Sequence, residues 1–175
     1  MQAEDHRRGL EHGAGLLPDL QLQLADTVVG HHGADRLAVA VLQEGKQLRS
    51  RGVTVPILIL GASGEEAVED LINFDITPSV FTYEFAKALS YEAERKEKVT
   101  KIHIKIDTGM SRIGFLAGEN NEEIVDEIIK ISKLPYIEIE GIFSHFATSD
   151  EYDKSYTLLQ YGRFMDVCNR LEEKG

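Results

Sequence analysis

The sequence predicts an α/β fold of parallel strands alternating with helices, either part of a (β/α)8 TIM barrel or an open doubly wound sheet. Three observations lead there. From about residue 34 short apolar runs alternate with amphipathic stretches, giving five or six strand–helix units. A closed eight-fold barrel takes roughly 250 residues, so a chain of 175 supplies only part of one, and an open sheet fits the length better. No Gly-x-Gly-x-x-Gly fingerprint follows any strand, so a dinucleotide site has no support.

Each element has a local reason. "ADRLAVAVL" reads as the first strand and "QEGKQLRSRG" as a short polar helix. "PILILG" is a second strand closed by Gly61; Ser63 and Glu66 have capping-box spacing before a helix whose buried stripe is Ala67, Val68, Leu71 and Ile72. "PSVFT" and "YEFAKALSYEAERKEK" form the third pair. In "KIHIKID" Ile102, Ile104 and Ile106 share one face of a strand, while Lys101, His103, Lys105 and Asp107 share the other. Asn120 or Asn121 caps the next helix, with Glu122 and Glu123 at the positive end of its dipole, Lys130 and Lys133 at the negative end, and Ile124, Val125, Ile128 and Ile129 as its stripe. "YIEIEGIFSHFA" is the fifth strand. "KSYTLLQYGRFMDVCNRLEEK" is the final helix, in which Leu158, Tyr161, Met165 and Cys168 recur at helical spacing.

Composition narrows the function. A hydrophobic fraction of 42% with 28% charged residues suits a soluble globular domain. The net charge of −11, without a cluster of Lys and Arg, argues against nucleic acid as a partner. Apolar runs such as "VPILIL" are far shorter than the roughly 20 residues of a membrane span, and no secretory signal is evident. Cys168 is the only cysteine, which excludes an internal disulfide and fits a cytoplasmic location.

The chemistry gathers at strand ends. In a barrel, outward strand faces pack on helices and inward faces build the site near the C-terminal mouth. That division places Lys105 and Asp107 inward; the competing reading is a strand with one solvated face. A partly desolvated Lys105 has a lowered pKa and a more available neutral amine. Arg112, past the Asp-Thr-Gly turn, carries a donor fork suited to a phenolate or carboxylate. His145 follows the next strand and shares a face with Gly141 and Phe143. "HHG" at His31 and His32 reads as loop, since no partners stand at metal-ligand spacing, and no metal is expected. Asp150, Glu151 and Asp153 read as the solvated start of a helix rather than a glycosidase pair.

The segments "GADRLAVAVLQEG", "PILILG", "KIDTGMSRIGF" and "EGIFSHFATSDE", in that order, closely resemble the N-terminal barrel domain of alanine racemases, fold-type III enzymes dependent on pyridoxal 5'-phosphate. The resemblance implies the barrel rather than the open sheet. It also implies a cytoplasmic isomerase that interconverts L- and D-alanine for peptidoglycan precursor supply and works as a homodimer. It implies roles at four positions. Lys105 matches a lysine that in many members is carbamylated and holds the neighbouring arginine. Arg112 matches that arginine, which bonds the cofactor's phenolic oxygen and lies near the substrate carboxylate. His145 matches a histidine packed beside the cofactor ring, and Leu60 an apolar residue lining the pocket. Alternatives are a racemase of another amino acid and a non-catalytic pyridoxal phosphate-binding barrel protein.

Two departures from the family pattern shape the expectation. The family's Schiff-base lysine stands in a V-K-A-N-A-Y-G-H-G type motif on the first strand, but "LEHGAGLLPDLQLQ" has neither that lysine nor the tyrosine after it, and the first lysine here is Lys46. Residues 1–23 are therefore expected to be a non-matching segment, from a frameshifted or misassembled reading or a divergent pseudo-enzyme, ahead of a partial barrel domain at 24–175. The chain also stops at "NRLEEKG", before the remaining strands and the β-rich domain that carries the tyrosine base. No catalytic residue is identifiable, and the isolated chain is expected to be an inactive fragment.

Overall fold

The computed structural model describes residues 33–175. Strand β1 (Leu37–Val39) leads into helix α1 (Leu42–Ser50), and β2 (Ile57–Ile59) into a 3-10 turn (Glu65–Ala67) and α2 (Val68–Asn73). Then come β3 (Ser79–Val80), α3 (Tyr83–Arg95), β4 (Thr100–Asp107), a short β5 (Phe115–Leu116), α4 (Glu122–Ser132), β6 (Ile137–Phe143) and α5 (Ser155–Lys174). Every pairing is parallel: β1 with β2, β3 with β4, and β4 with both β5 and β6. An isolated parallel bridge, Leu58 to Thr77, connects β2 toward β3.

The wall thus runs β1–β2–β3–β4–β6 in chain order. A doubly wound sheet reverses its strand order at a switch point. Consecutive order belongs to a barrel wall, and the open alternative is excluded. Ile57, Ile59, Ile102, Ile104 and Ile106, each at most 1% exposed, face the helices, and Leu71, Leu89, Val125, Ile128, Ile131 and Val167 complete the core. Each such side chain buried contributes about 1.5–3 kcal/mol. Lys105 and Asp107 are buried as well, which rules out a solvated face at that end of β4.

Two local expectations are corrected and a third is resolved between its two alternatives. Ser63 and Glu66 form no capping box: Gly64 stands at the N-cap of a 3-10 turn and no side chain caps it. At the start of α1 Glu44 reaches back to accept from the backbone N–H of Ala40 (2.8 Å) and Val41 (3.4 Å), while Val41 at the N-cap has no side-chain acceptor to return a bond. Asn121 occupies the N-cap position of α4, but its side chain bonds Gly118 and Asp166, while Asn120 accepts from Glu122 N (3.2 Å). In α5 the apolar stripe read from sequence is misplaced. Leu158 and Tyr161 are 66% and 52% exposed, whereas Gln160 and Val167 are wholly buried and Phe164 and Leu171 pack on the core.

At the N-terminal end of the wall a charged network closes the inward face. Arg36 donates to Glu140 (2.8 Å) and to His103 Nε2 (2.9 Å), and Lys101 donates to Glu140 (3.0 Å). Arginine only donates, so His103 Nε2 accepts and the ring is neutral; burial first and Arg36 second push its pKa down. A bulge makes room for this. Ile102 pairs with Ile139 and His103 with Gly141, leaving Glu140 as the extra residue. A Cβ on Gly141 would stand 2.7 Å from the His103 ring.

The Arg36 hydrogen bond, aided by Lys101 and opposed by burial, holds the Glu140 carboxyl down at about 2 against an ordinary 4.5. A depressed carboxyl pKa stabilises the fold above the unfolded value, and that stabilisation is lost as pH falls from there to the folded value. Urea unfolding between pH 5 and pH 2.5 is expected to show wild type losing about 2–3 kcal/mol more than Glu140→Gln. Equal losses in the two proteins would refute the assignment.

Candidate cofactor-binding site

Four segments end at one cleft of about 610 Å³, a size suited to a small organic ligand. Ala38, Val39 and Ala40 line it from β1, and Leu60, Gly61 and Ala62 from the end of β2. Lys105 comes from β4, Arg112 and Ile113 from the turn after it, and Phe143, Ser144 and His145 from the end of β6. Lys105, Arg112, His145 and Leu60, the residues singled out in the sequence, all line this cleft. His31, His32 and residues 1–23 lie outside the described residues.

The turn after β4 is built on Asp107. Its buried carboxylate accepts backbone N–H from Gly109 (2.9 Å), Ser111 (3.0 Å) and Arg112 (2.9 Å). Burial pushes this carboxyl up, but those bonds, with one from Met110, outweigh it and hold the group below its usual range. The chain turns by placing Gly109 (φ 138°), Ser111 (φ 58°) and Gly114 (φ 130°) in the left-handed region. Asp107 is thus the inner peg of the loop that presents Arg112. The sequence signal was available: Asp before Thr-Gly bonds its own downstream backbone in an Asx turn.

Lys105 is 4% exposed, with Nζ 4.4 Å above the Phe143 ring centre. Burial first and the Arg112 charge second lower its pKa, and Asp107 only partly opposes them. No ion pair to Lys105 or Arg112 occurs among the described residues. Two cations against one apolar wall of Val39, Leu60, Ile113 and Phe143 make a cleft suited to a flat anionic ligand.

The lining fits pyridoxal phosphate on its ring side: Arg112 offers donors to an anionic oxygen, and the wall offers apolar cover. Among the described residues the only lysine lining this cleft is Lys105, and covalent anchorage is assigned to none of them.

The family model described as alanine racemase, N-terminal domain, matches residues 21–175. Alanine racemase of Clostridium tetani (strain Massachusetts / E88) is 51% identical over 144 residues, 82% of this chain and 36% of the relative. The solved alanine racemase of Clostridium difficile 630 superposes with a TM-score of 0.84 at 41% identity, covering 89% of this chain and 40% of that one. Histidine racemase from Leuconostoc mesenteroides subsp. sake NBRC 102480 superposes at 0.73 with 27% identity, covering 85% and 38%. The chain spans little more than a third of the length of these relatives.

Proposed function

This chain belongs to the alanine racemase N-terminal domain family, and from that premise we propose that it forms the cofactor-facing wall of an enzyme interconverting L- and D-alanine. The observation that carries the reading is the convergence of Lys105, Arg112, His145 and Leu60 on one cationic cleft. Alanine is favoured over other amino acids because the relatives at 45–51% identity are alanine racemases; the histidine racemase, at 27%, stands level with alanine racemases at 26–28%. A non-catalytic barrel protein has no comparable support. The product would serve peptidoglycan precursor supply.

When bound, pyridoxal phosphate supplies an electron sink that makes the Cα proton of an attached amino acid removable. The chain's own residues would orient and shield. Arg112 would donate to the phenolic oxygen and lie near the substrate carboxylate, His145 would pack beside the ring, and Val39, Leu60 and Phe143 would exclude water from one side. The proton-moving bases are assigned to no residue here; a second subunit in a homodimer would bring one of them.

Lys105 would act as a carbamate. Its neutral amine would attack carbon dioxide, forming the N–C bond and releasing one N–H proton, so that an anion replaces a cation beside Arg112. The buried, pKa-lowered amine supports this. Carbon-13 NMR in labelled bicarbonate is expected to show a carbamate signal in wild type that Lys105→Arg lacks. Identical spectra would eliminate the modification.

The ligand assignment is tested by titrating the chain with pyridoxal phosphate and following near-UV circular dichroism. Wild type is expected to bind, and Arg112→Ala to bind at least tenfold more weakly, because a charge-assisted hydrogen bond contributes about 1.5–3 kcal/mol. No signal in wild type, or equal affinity in the variant, would overturn the reading.

A further inference from the structure

Helix α5 carries a polar stripe that the racemase chemistry does not use. Tyr156, Gln160 and Arg163 stand at i, i+4 and i+7, and all three reach across to the loops flanking the cleft. Tyr156 OH donates to the Gly109 carbonyl (2.8 Å), and Arg163 donates to the Thr108 carbonyl (3.0 Å). Gln160, wholly buried, reaches both loops at once. Its Nε2 donates to the His145 carbonyl (3.1 Å) and to Thr108 Oγ1 (3.2 Å), and its Oε1 accepts from Ala147 N–H (2.8 Å). The carboxamide orientation follows from these partners, with two oxygens facing one end and an N–H facing the other. Thr108 Oγ1 and Ser144 Oγ, 2.8 Å apart, tie the same two loops together.

We propose that Gln160 is a positioning residue that fixes the His145 loop and the Arg112-bearing turn relative to one another. Thr108 immediately follows Asp107, the peg of the Arg112 turn, and His145 and Ala147 both lie in the loop after β6, so one carboxamide sets the spacing of the two loops. Burying a carboxamide costs several kcal/mol unless it is bonded, and here all its bonds go to the two site loops rather than to the core. The inference rests on the proposed function for the ligand that this spacing serves, but its structural content holds without any ligand.

The test uses the full 175-residue chain as wild type, Gln160→Met, Gln160→Glu and a control, Ser90→Ala. The control removes a buried hydrogen bond, Ser90 to the Pro135 carbonyl, that touches neither loop. Without ligand, Gln160→Met is expected to speed amide exchange at Ala147 at least tenfold relative to the control and to shift the His145 imidazole NMR signals. Gln160→Glu keeps an acceptor for Ala147, so it is expected to restore slow exchange there while the imidazole signals stay shifted. Pyridoxal phosphate affinity is expected to fall about tenfold in Gln160→Met and to stay within twofold in Ser90→Ala. Unmoved imidazole signals in both Gln160 variants, exchange at Ala147 no faster than in the control, or failure of both variants to fold would each overturn the proposal. If wild type binds no pyridoxal phosphate, the functional reading fails on its own, and the exchange and imidazole measurements still decide the role of Gln160.

Discussion

Asp107→Ala is expected to destabilise the chain by about 3–5 kcal/mol, because it strips the acceptor from three backbone N–H groups at once. Those groups, on Gly109, Ser111 and Arg112, belong to a turn already held in left-handed conformations, and alanine offers them nothing in exchange. The site is too enclosed for full compensation by solvent, since Asp107 is 6% exposed. A domain's whole stability is about 5–15 kcal/mol, so the loss would leave a large unfolded population at physiological temperature. Asp107→Asn separates fold from function. Its single carbonyl oxygen can keep the bonds to Gly109 and Ser111, while the amide nitrogen faces the Arg112 N–H and repels it. Urea unfolding is expected to show a smaller loss for Asn than for Ala, with pyridoxal phosphate affinity falling by a similar factor in both. Acid adds a signature: a depressed carboxyl stabilises above its unfolded pKa of 3.8 and that contribution is lost as pH falls below it. An Asp107→Ala protein within about 1 kcal/mol of wild type would show the turn to be held by something else.

The site was legible where the chemistry follows backbone period. Alternation in β4 sends its isoleucines to the helices and Lys105 and Asp107 inward, and pairing of Lys105 with Phe143 shows the neighbouring strand in step. Leu60, Arg112 and His145 meet because parallel strands in chain order put all their C-terminal ends at one mouth. What stayed hidden depends on tertiary geometry. A period of two assigns Glu138 and Glu140 alike, but the bulge brings Glu140 beside His103 and Arg36, and no local residue pattern announces it. Gln160 was hidden for a different reason. On an amphipathic helix a glutamine reads as the wet face and the apolar run through Leu158 and Tyr161 as the packed one, the reverse of what the structure has. The backbone after β6 turns the His145 carbonyl and the Ala147 N–H toward α5, and satisfying both favours a buried carboxamide over a leucine at that position.

Gly114→Ala is expected to be as damaging as loss of Asp107, from the opposite side of the same turn. Gly114 has φ 130°, a region that side-chain-bearing residues scarcely enter. Space is also lacking: a Cβ there would lie 2.5 Å from Asp107 N and 2.8 Å from the Ile106 carbonyl carbon. Both are backbone atoms of β4, fixed by pairing on the adjoining strands, so no flexible side chain can yield. Relief requires Phe115 and Leu116 to leave their register with Ile106 and Asp107, and Ala117 N to leave the Asp107 carbonyl (2.9 Å). Phe115 is a core residue, so moving β5 also opens the packing. The combined cost is about 3–5 kcal/mol. The distinguishing measurement is where the damage falls: amides of residues 107–117 should lose protection first, with Arg112 drawn away from the cleft, while those of α3 stay near wild type until global unfolding. Uniform loss of protection, or a melting temperature within a degree or two of wild type, would mean that the strand ends are softer than the packing around Gly114 requires.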